Sequence, residues 1–286
     1  MEIKINGQTA DISLENEKTL AEVLSSLNKW IENSGLRLSG ISVNGKVIDE
    51  NSIENEIKRE IDTVNVLDIE TKPLADFYAM SLLSLLDDMI EYESLNFEEK
   101  NKFLENWKES AEAKFSNEQM PDLYLLYVNT FSGSGLSCGN LRSLTEERLR
   151  EVREPAEEMA RLKQAIDDIC TRLVDLPLDI QTGKDKRASE TIQFFSGITE
   201  KIFRIFKQLG IQGYIKKTLD TEEAALSKLI EGFGQMVKEF LEAYEKHDSV
   251  LVGDIAEYEI APGLLELYNT LVNSSLEPAA GVMGAI

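Results

Sequence analysis

"DTVNVLDIETKPLADFY", Asp62 to Tyr78, divides the chain into two kinds of structure. Its first half alternates with period two, Val64, Val66 and Asp68 on one side and Leu67 and Ile69 on the other, as a strand with one buried face does. Lys72-Pro73 then ends the strand, because the residue before a proline is pushed out of the helical region and a new element can begin after it. From Leu74 onward the apolar spacing is helical almost throughout. Two domains, residues 1–72 and 73–286, are therefore expected, in keeping with a length above that of one ordinary core.

Upstream of this stretch, "EIKIN" and "QTADISL" alternate on either side of Asn6-Gly7, a type I′ hairpin signal. "NEKTLAEVLSSLNKWIENSG" follows, with Leu20, Val23, Leu24, Leu27 and Ile31 at helical spacing, Thr19 as N-cap and Gly35 as the stop. Ile41 and Val43 precede a second Asn-Gly at Asn44-Gly45, Val47 and Ile48 come after it, and "SIENEI" is a short piece before the last strand. The order is β-β-α-β-β-β. It resembles the β-grasp fold of ubiquitin-like and ThiS/MoaD-like proteins. The resemblance implies a protein-recognition module working through an exposed sheet face. The free Gly-Gly tail of the carrier members is missing, since Lys72-Pro73 leads straight into a helix, so carrier chemistry has no carboxylate to act on.

Downstream, Leu82, Leu83, Leu85, Leu86, Met89 and Ile90 form a wide apolar face. Asn96 caps a helix carrying Phe103, Leu104, Trp107 and Ala111, and Pro121 opens another with Leu123, Leu126 and Tyr127. Stricter seams follow. Met159, Leu162, Ile166, Ile169, Leu173 and Leu176 are spaced three and four apart up to Pro177, which reads as the helix end. Phe195, Ile198, Ile202, Ile205 and Leu209 repeat the spacing to a stop at Gly210. A third seam starts at an Asp220 or Thr221 cap and runs through Leu226, Leu229, Phe233, Met236, Val237, Phe240 and Tyr244. A break is expected at Pro262-Gly263 and a disordered tail over 274–286. The fold class is thus α+β: a β-grasp-like N-terminal domain followed by an all-α antiparallel helical bundle.

Composition excludes several function classes. With 30 Lys+Arg against 52 Asp+Glu the formal charge is -22, which repels phosphate backbones and anionic headgroups, so no nucleic-acid and no membrane partner is expected. No apolar run approaches the ~20 residues that span a bilayer, and the first residues lack a basic segment before an apolar one. Cys138 and Cys170 sit in unlike contexts, which suggests neither a disulfide framework nor a zinc site and fits a reducing cytoplasm.

The run with the most chemical character is "NTFSGSGLSCGN", Asn129 to Asn140, because Gly135 to Gly139 spells G-x-S-x-G. A nucleophile elbow needs a strand before it, a helix after it and a histidine base in reach. This run lies between helices, and His247, the chain's one histidine, stands at a helix end where an imidazolium suits the dipole. The bland reading, a helix-to-helix hinge over 131–140, outweighs a Ser137 or Cys138 pair with His247. The same run misses G-x-G-x-x-G because Cys138 stands where the third glycine belongs, and "QTGKDKRAS" has Leu178 in place of the first P-loop glycine. Asp87-Asp88 and Asp167-Asp168 point about 100° apart on a helix and make no metal site; no metal and no cofactor is expected.

Lys184, Lys186 and Arg187 crowd a helix start, against its dipole, and Lys201, Arg204 and Lys207 share a face of the helix that follows. They form the candidate charged contact surface. Phe194, Phe203 and Phe206 widen that helix's apolar arc to more than half its circumference, so it is either central or touches a second chain. The reading that follows is a non-catalytic adaptor or scaffold with a ubiquitin-like head and a self-associating helical domain, binding other proteins. Two alternatives stand beside it: a small-molecule binding protein with its ligand among the helices, and a Ser/Cys hydrolase using the 135–139 turn.

Overall fold

The structure, a computed structural model, describes residues 1–12, 14, 17–49, 52–214 and 220–275. The chain is α+β and divides into two compact units, Met1–Arg142 and Ser143–Ile286.

The first unit begins with β1 (Glu2–Ile5), β2 (Gln8–Thr9), α1 (Leu20–Asn33), β3 (Leu36–Val43), β4 (Lys46–Val47), the single turn α2 (Ile53–Glu56), a 3₁₀ turn over Ile61–Thr63, and β5 (Val66–Pro73). The five strands form one sheet in the order β2-β1-β5-β3-β4, with β1 parallel to β5 and the other pairs antiparallel. Asn6 and Gly7, and again Asn44 and Gly45, have positive φ, as a type I′ turn requires at both central positions. Each asparagine does a second job. Thr71 N–H donates to Asn6 Oδ1 at 2.8 Å, while Asn65 and Val66 N–H donate to Asn44 Oδ1 at 2.8 and 3.0 Å, so both hairpin turns are fastened to the chain of the last strand.

Thr19 opens α1 with a capping box, its hydroxyl accepting from Glu22 N–H and the Glu22 carboxylate from Thr19 N–H. Leu20, Val23, Leu27 and Ile31 then face Ile3, Ile41, Val43, Leu67 and Ile69 across a closed core. Leu67 and Ile69 are the inward residues of β5, and Asp68 and Glu70 face outward.

β5 passes into α3 (Leu74–Ser94) without a loop; Pro73 keeps an extended ψ of 140° and Leu74 N–H donates to Gly35 C=O. Then come α4 (Phe97–Lys108), α5 (Ala111–Gln119) and α6 (Pro121–Phe131). An Asn96/Glu99 capping box starts α4, and Pro121 occupies the first turn of α6. The helices close on an aromatic cluster in which Phe131 lies 4.6 to 5.5 Å, centroid to centroid, from Tyr92, Phe103, Trp107 and Tyr127. The face expected to be wide on α3 is split. Leu82, Leu85 and Met89 are buried, whereas Leu83 and Ile90 are exposed.

The boundary between the units falls inside α7 (Cys138–Arg153). After it run α8 (Pro155–Gln181), α9 (Asp185–Ile211), α10 (Asp220–Glu245), α11 (Ser249–Ile255), a five-residue π turn over Ala256–Ile260, and α12 (Ala261–Ser275). The α8 seam from Met159 to Leu176 and the α9 seam from Phe195 to Leu209 are buried together with Phe233 and Phe240 of α10 and with Ile260, Leu264 and Leu267. Phe194, Phe203 and Phe206 are half-buried against that same core, which accounts for the wide apolar arc of α9 inside its own unit.

Three expected helix ends are displaced. Pro177 lies within α8, which continues to Gln181; the ring packs against Gly253, where a Cβ would stand 2.8 Å from Pro177 Cβ. α9 passes through Gly210 and stops at Gly213, whose φ of 73° lets Tyr214 N–H reach back to Leu209 C=O. At Pro262-Gly263 the helix does not break. Proline has no N–H to donate one turn back, and the ladder widens to a π turn just before it, with Ala261 N–H bonded to Ala256 C=O. The Asp220/Thr221 cap side chains and all but the start of the 274–286 tail lie outside the described residues.

Candidate functional site

"NTFSGSGLSCGN" forms a helix stop followed at once by a helix start. Gly133, with φ 81°, sits just past α6; Ser134 N–H donates to Asn129 C=O and Gly133 N–H to Thr130 C=O. This is a Schellman closure, and the same pair of bonds recurs at Gly183, Gly213 and His247. Ser132 and Ser134 hydroxyls donate to Asn129 C=O, and Tyr92 Oη donates to Phe131 C=O at 3.2 Å. Ser137 Oγ accepts from Asn140 N–H at 3.3 Å, as an N-cap does, and Cys138 is the first residue of α7. His247 takes a left-handed conformation, φ 55°, at the end of α10, its backbone N–H bonded to Tyr244 C=O. Ser137 and Cys138 belong to the first compact unit and His247 to the second. Each of the three stands at a helix terminus.

Gly135 shows how tightly this loop is folded. A Cβ there would lie 2.5 Å from Thr130 N and 2.7 Å from Asn129 C, backbone atoms that cannot yield. Gly135→Ala is expected to lower stability by about 1–3 kcal/mol, the usual penalty of overpacking. Gly139→Ala, four residues on in the first turn of α7 and facing open space, is expected to gain about 0.5–1 kcal/mol. Thermal unfolding of the two variants checks the contrast.

The basic residues of α9 have partners on α7 and α8. Arg204 grips Glu151 with two bonds, Nε to Oε2 at 3.0 Å and Nη2 to Oε1 at 2.9 Å. Lys201 Nζ lies 2.6 Å from Glu147, 3.3 Å from Glu158 and 4.0 Å from Glu151. Arg161 hydrogen-bonds Glu158 from within α8. Burial pushes the Glu147 carboxyl up, but the hydrogen bond and charge of Lys201 outweigh it, and the group ends below the ordinary carboxylate range. Glu151 and Glu158 are only 2% and 4% exposed, so these carboxylates meet their charge partners largely out of water. Gln212 Nε2 adds a hydrogen bond to Val152 C=O at 2.6 Å.

A second tie lies at the α8–α9 turn. Asp179, 2% exposed, meets Arg187 Nε at 3.0 Å and Lys184 Nζ at 3.4 Å, and Arg187 also reaches Asp175 at 3.1 Å. These pairs answer the unfavourable placement of cations at a helix start. Four residues of the expected contact surface, Lys184, Arg187, Lys201 and Arg204, thus join helices of one unit. Lys186, which is highly exposed, has Glu190 at 3.7 Å, and Lys207 is exposed on α9.

Glu151, Glu158 and Asp179 are the residues that sequence reasoning missed. Glu158 lies four before Leu162 and Asp179 three after Leu176, so both extend the apolar seam of α8. A carboxylate at a seam position was the available signal.

Cys170 is half-buried, its Sγ 3.4 Å from Ala261 C=O, and burial raises its pKa, which makes it a structural thiol. Phe195 packs edge-on to Phe233 and Phe240, centroids 6.4 and 6.1 Å apart, as core residues. No described helix is long and apolar enough to cross a membrane.

Two family models match separate stretches of the chain, one in each compact unit. Residues 1–73 match the family described as the TP0873 N-terminal domain, and residues 157–270 match a domain of unknown function, DUF8042. An uncharacterized protein of Treponema pallidum (strain Nichols) is 22% identical over 276 residues, covering 96% of this chain and 98% of that one. The likeness therefore extends through both compact units. No solved structure matches the chain.

Proposed function

We propose that the protein is a non-catalytic adaptor whose first 72 residues form a ubiquitin-like, β-grasp head and whose helices form an antiparallel bundle. The strand order with parallel first and last strands at its centre, and one helix packed across the sheet, supports the head. The outward sheet face carries the reading. Across β1, β5 and β3 it presents Lys4, Asp68 and Ser42 in one row, with Glu70 beside Gly40 in the next. A Cβ at position 40 would come 3.0 Å from the Glu70 carboxylate, so the glycine lets that side chain lie across the sheet. The face is polar, so a partner bound there would be held by hydrogen bonds and complementary charge rather than by apolar burial. The seams of α8 and α9 are buried in the second unit's own core and that of α10 is buried only in part, with Tyr244 exposed, so the adaptor reading does not rest on self-association through them.

Affinity purification of the tagged full chain from its native cells, beside a Lys4→Glu/Glu70→Lys variant, tests this. A partner that stays bound through gel filtration at fixed stoichiometry and is lost from the variant is expected. A monomer that retains no partner in either form would overturn the proposal.

A further inference from the structure

α3 has two apolar stripes, and the fold uses one. Tyr78, Leu82, Leu85, Met89 and Tyr92 are buried. On the opposite side Asp76, Met80, Leu83, Asp87, Ile90 and Ser94 follow at spacings of four, three, four, three and four, all exposed. Met80 and Ile90 leave 56% and 59% of their surface in water. That spacing keeps residues on one line facing a neighbouring helix, the pattern of a coiled-coil seam. The stripe runs from Asp76 to Ser94, roughly 27 Å of helix.

Its charge is all of one sign. α3 contains no lysine or arginine, and Asp76, Asp87 and Glu91 on the exposed side meet no cation among the described residues. Asp88, one residue round the helix, registers the same field: burial raises its carboxyl pKa, and Glu112, Glu91 and Asp87 raise it further against the hydrogen bond from Trp107 Nε1.

A second copy of the chain does not complete this seam. Parallel pairing in register would set Asp87 against Asp87, and antiparallel pairing about the middle would set Asp87 against Leu83. Neither brings a cation. We propose that the exposed face of α3 docks a basic amphipathic helix of another protein, apolar residues at three-four spacing covering Met80, Leu83 and Ile90, and Lys or Arg meeting Asp76, Asp87 and Glu91. The seam is narrow, so the contact is a small and reversible one. This rests on the adaptor reading and gives the partner its chemistry.

Fluorescence anisotropy of the full chain with three labelled 21-residue synthetic peptides tests it. The first places Leu at three-four spacing with Lys flanking; the second has the same composition in permuted order; the third replaces Lys by Glu. The first is expected to bind at least tenfold more tightly than either other, and to weaken as salt rises from about 0.05 to 0.3 M, as the Debye length shortens. Leu83→Asp/Ile90→Asp, changes at exposed positions checked by circular dichroism, should weaken it at least tenfold. Asp87→Lys/Glu91→Lys, which leaves the apolar stripe whole, should transfer the preference to the Glu peptide. Equal binding of the permuted peptide, or unchanged binding by both variants, would overturn the proposal. So would a dimer in light scattering that Leu83→Asp/Ile90→Asp dissolves, since a second copy would then hold the seam. A native partner lost with the sheet-face variant but kept by both α3 variants would leave the adaptor reading standing and remove α3 from it.

Discussion

Phe131→Ala is expected to destabilise the first unit by about 3–5 kcal/mol, the range for truncating a buried phenylalanine. The ring is 3% exposed and touches four other aromatic rings contributed by α3, α4 and α6. Pairs of this kind contribute about 0.5–1.5 kcal/mol each beyond the area they bury. The loss therefore reaches past one residue's burial, because Trp107, Tyr92 and Tyr127 each lose a neighbour. Tyr92 also donates its hydroxyl to the Phe131 backbone carbonyl, a bond that the truncation leaves in place. Chemical unfolding followed by near-ultraviolet circular dichroism checks the result, with Phe131→Leu as a comparison expected to lose less than half as much. An effect below about 1 kcal/mol would mean that the cluster relaxes around the gap.

Arg204→Ala is expected to cost about 3–5 kcal/mol, because it leaves the Glu151 carboxylate buried without its bidentate partner. The informative comparison is the double variant Arg204→Leu/Glu151→Met. Replacing both members of a buried pair with apolar groups is often neutral or stabilising, so this variant should recover most of the loss. If both variants are equally unstable, the charge pair is not what fixes α9 against α7. Acid provides a second arm. The Glu147 carboxyl lies below the ordinary range in the folded chain, so its contribution is fully present above the unfolded value of about 4.3 and fades as pH falls through the lower folded value. Wild-type unfolding midpoints should drop below about pH 4, and Glu147→Gln should flatten that part of the profile.

Much of the fold was legible because it rests on local rules. The two Asn-Gly turns, the Thr19 and Asn96 boxes and the seams of α8 and α9 each declare themselves within a few residues. What was hidden depends on distant partners. Pro177 stays helical because Gly253, far along the chain, leaves room for its ring. Nothing local marks Glu151 as a paired carboxylate, because the guanidinium that neutralises it is 53 residues away. The two stripes of α3 could not be separated by periodicity, since Leu82-Leu83 and Met89-Ile90 are adjacent pairs and tertiary packing selects one of each. The G-x-S-x-G run was ambiguous for the opposite reason. Its glycines and serines suit a helix stop and start as well as they suit a catalytic turn.

The placement of β5 also orders events in time. It is the central strand and the last of the five to be made, and β1 must wait about sixty residues for the parallel partner that begins at Val66. At roughly 5–20 residues per second, synthesis holds the two short hairpins apart for several seconds. Neither hairpin has a stable core alone, and β1 and β3 are joined in the sheet only through β5, so closing the sheet is a step that needs β5. Because β5 runs on into α3 with no loop, the strand that closes the sheet and the first helix after it are one continuous stretch of chain.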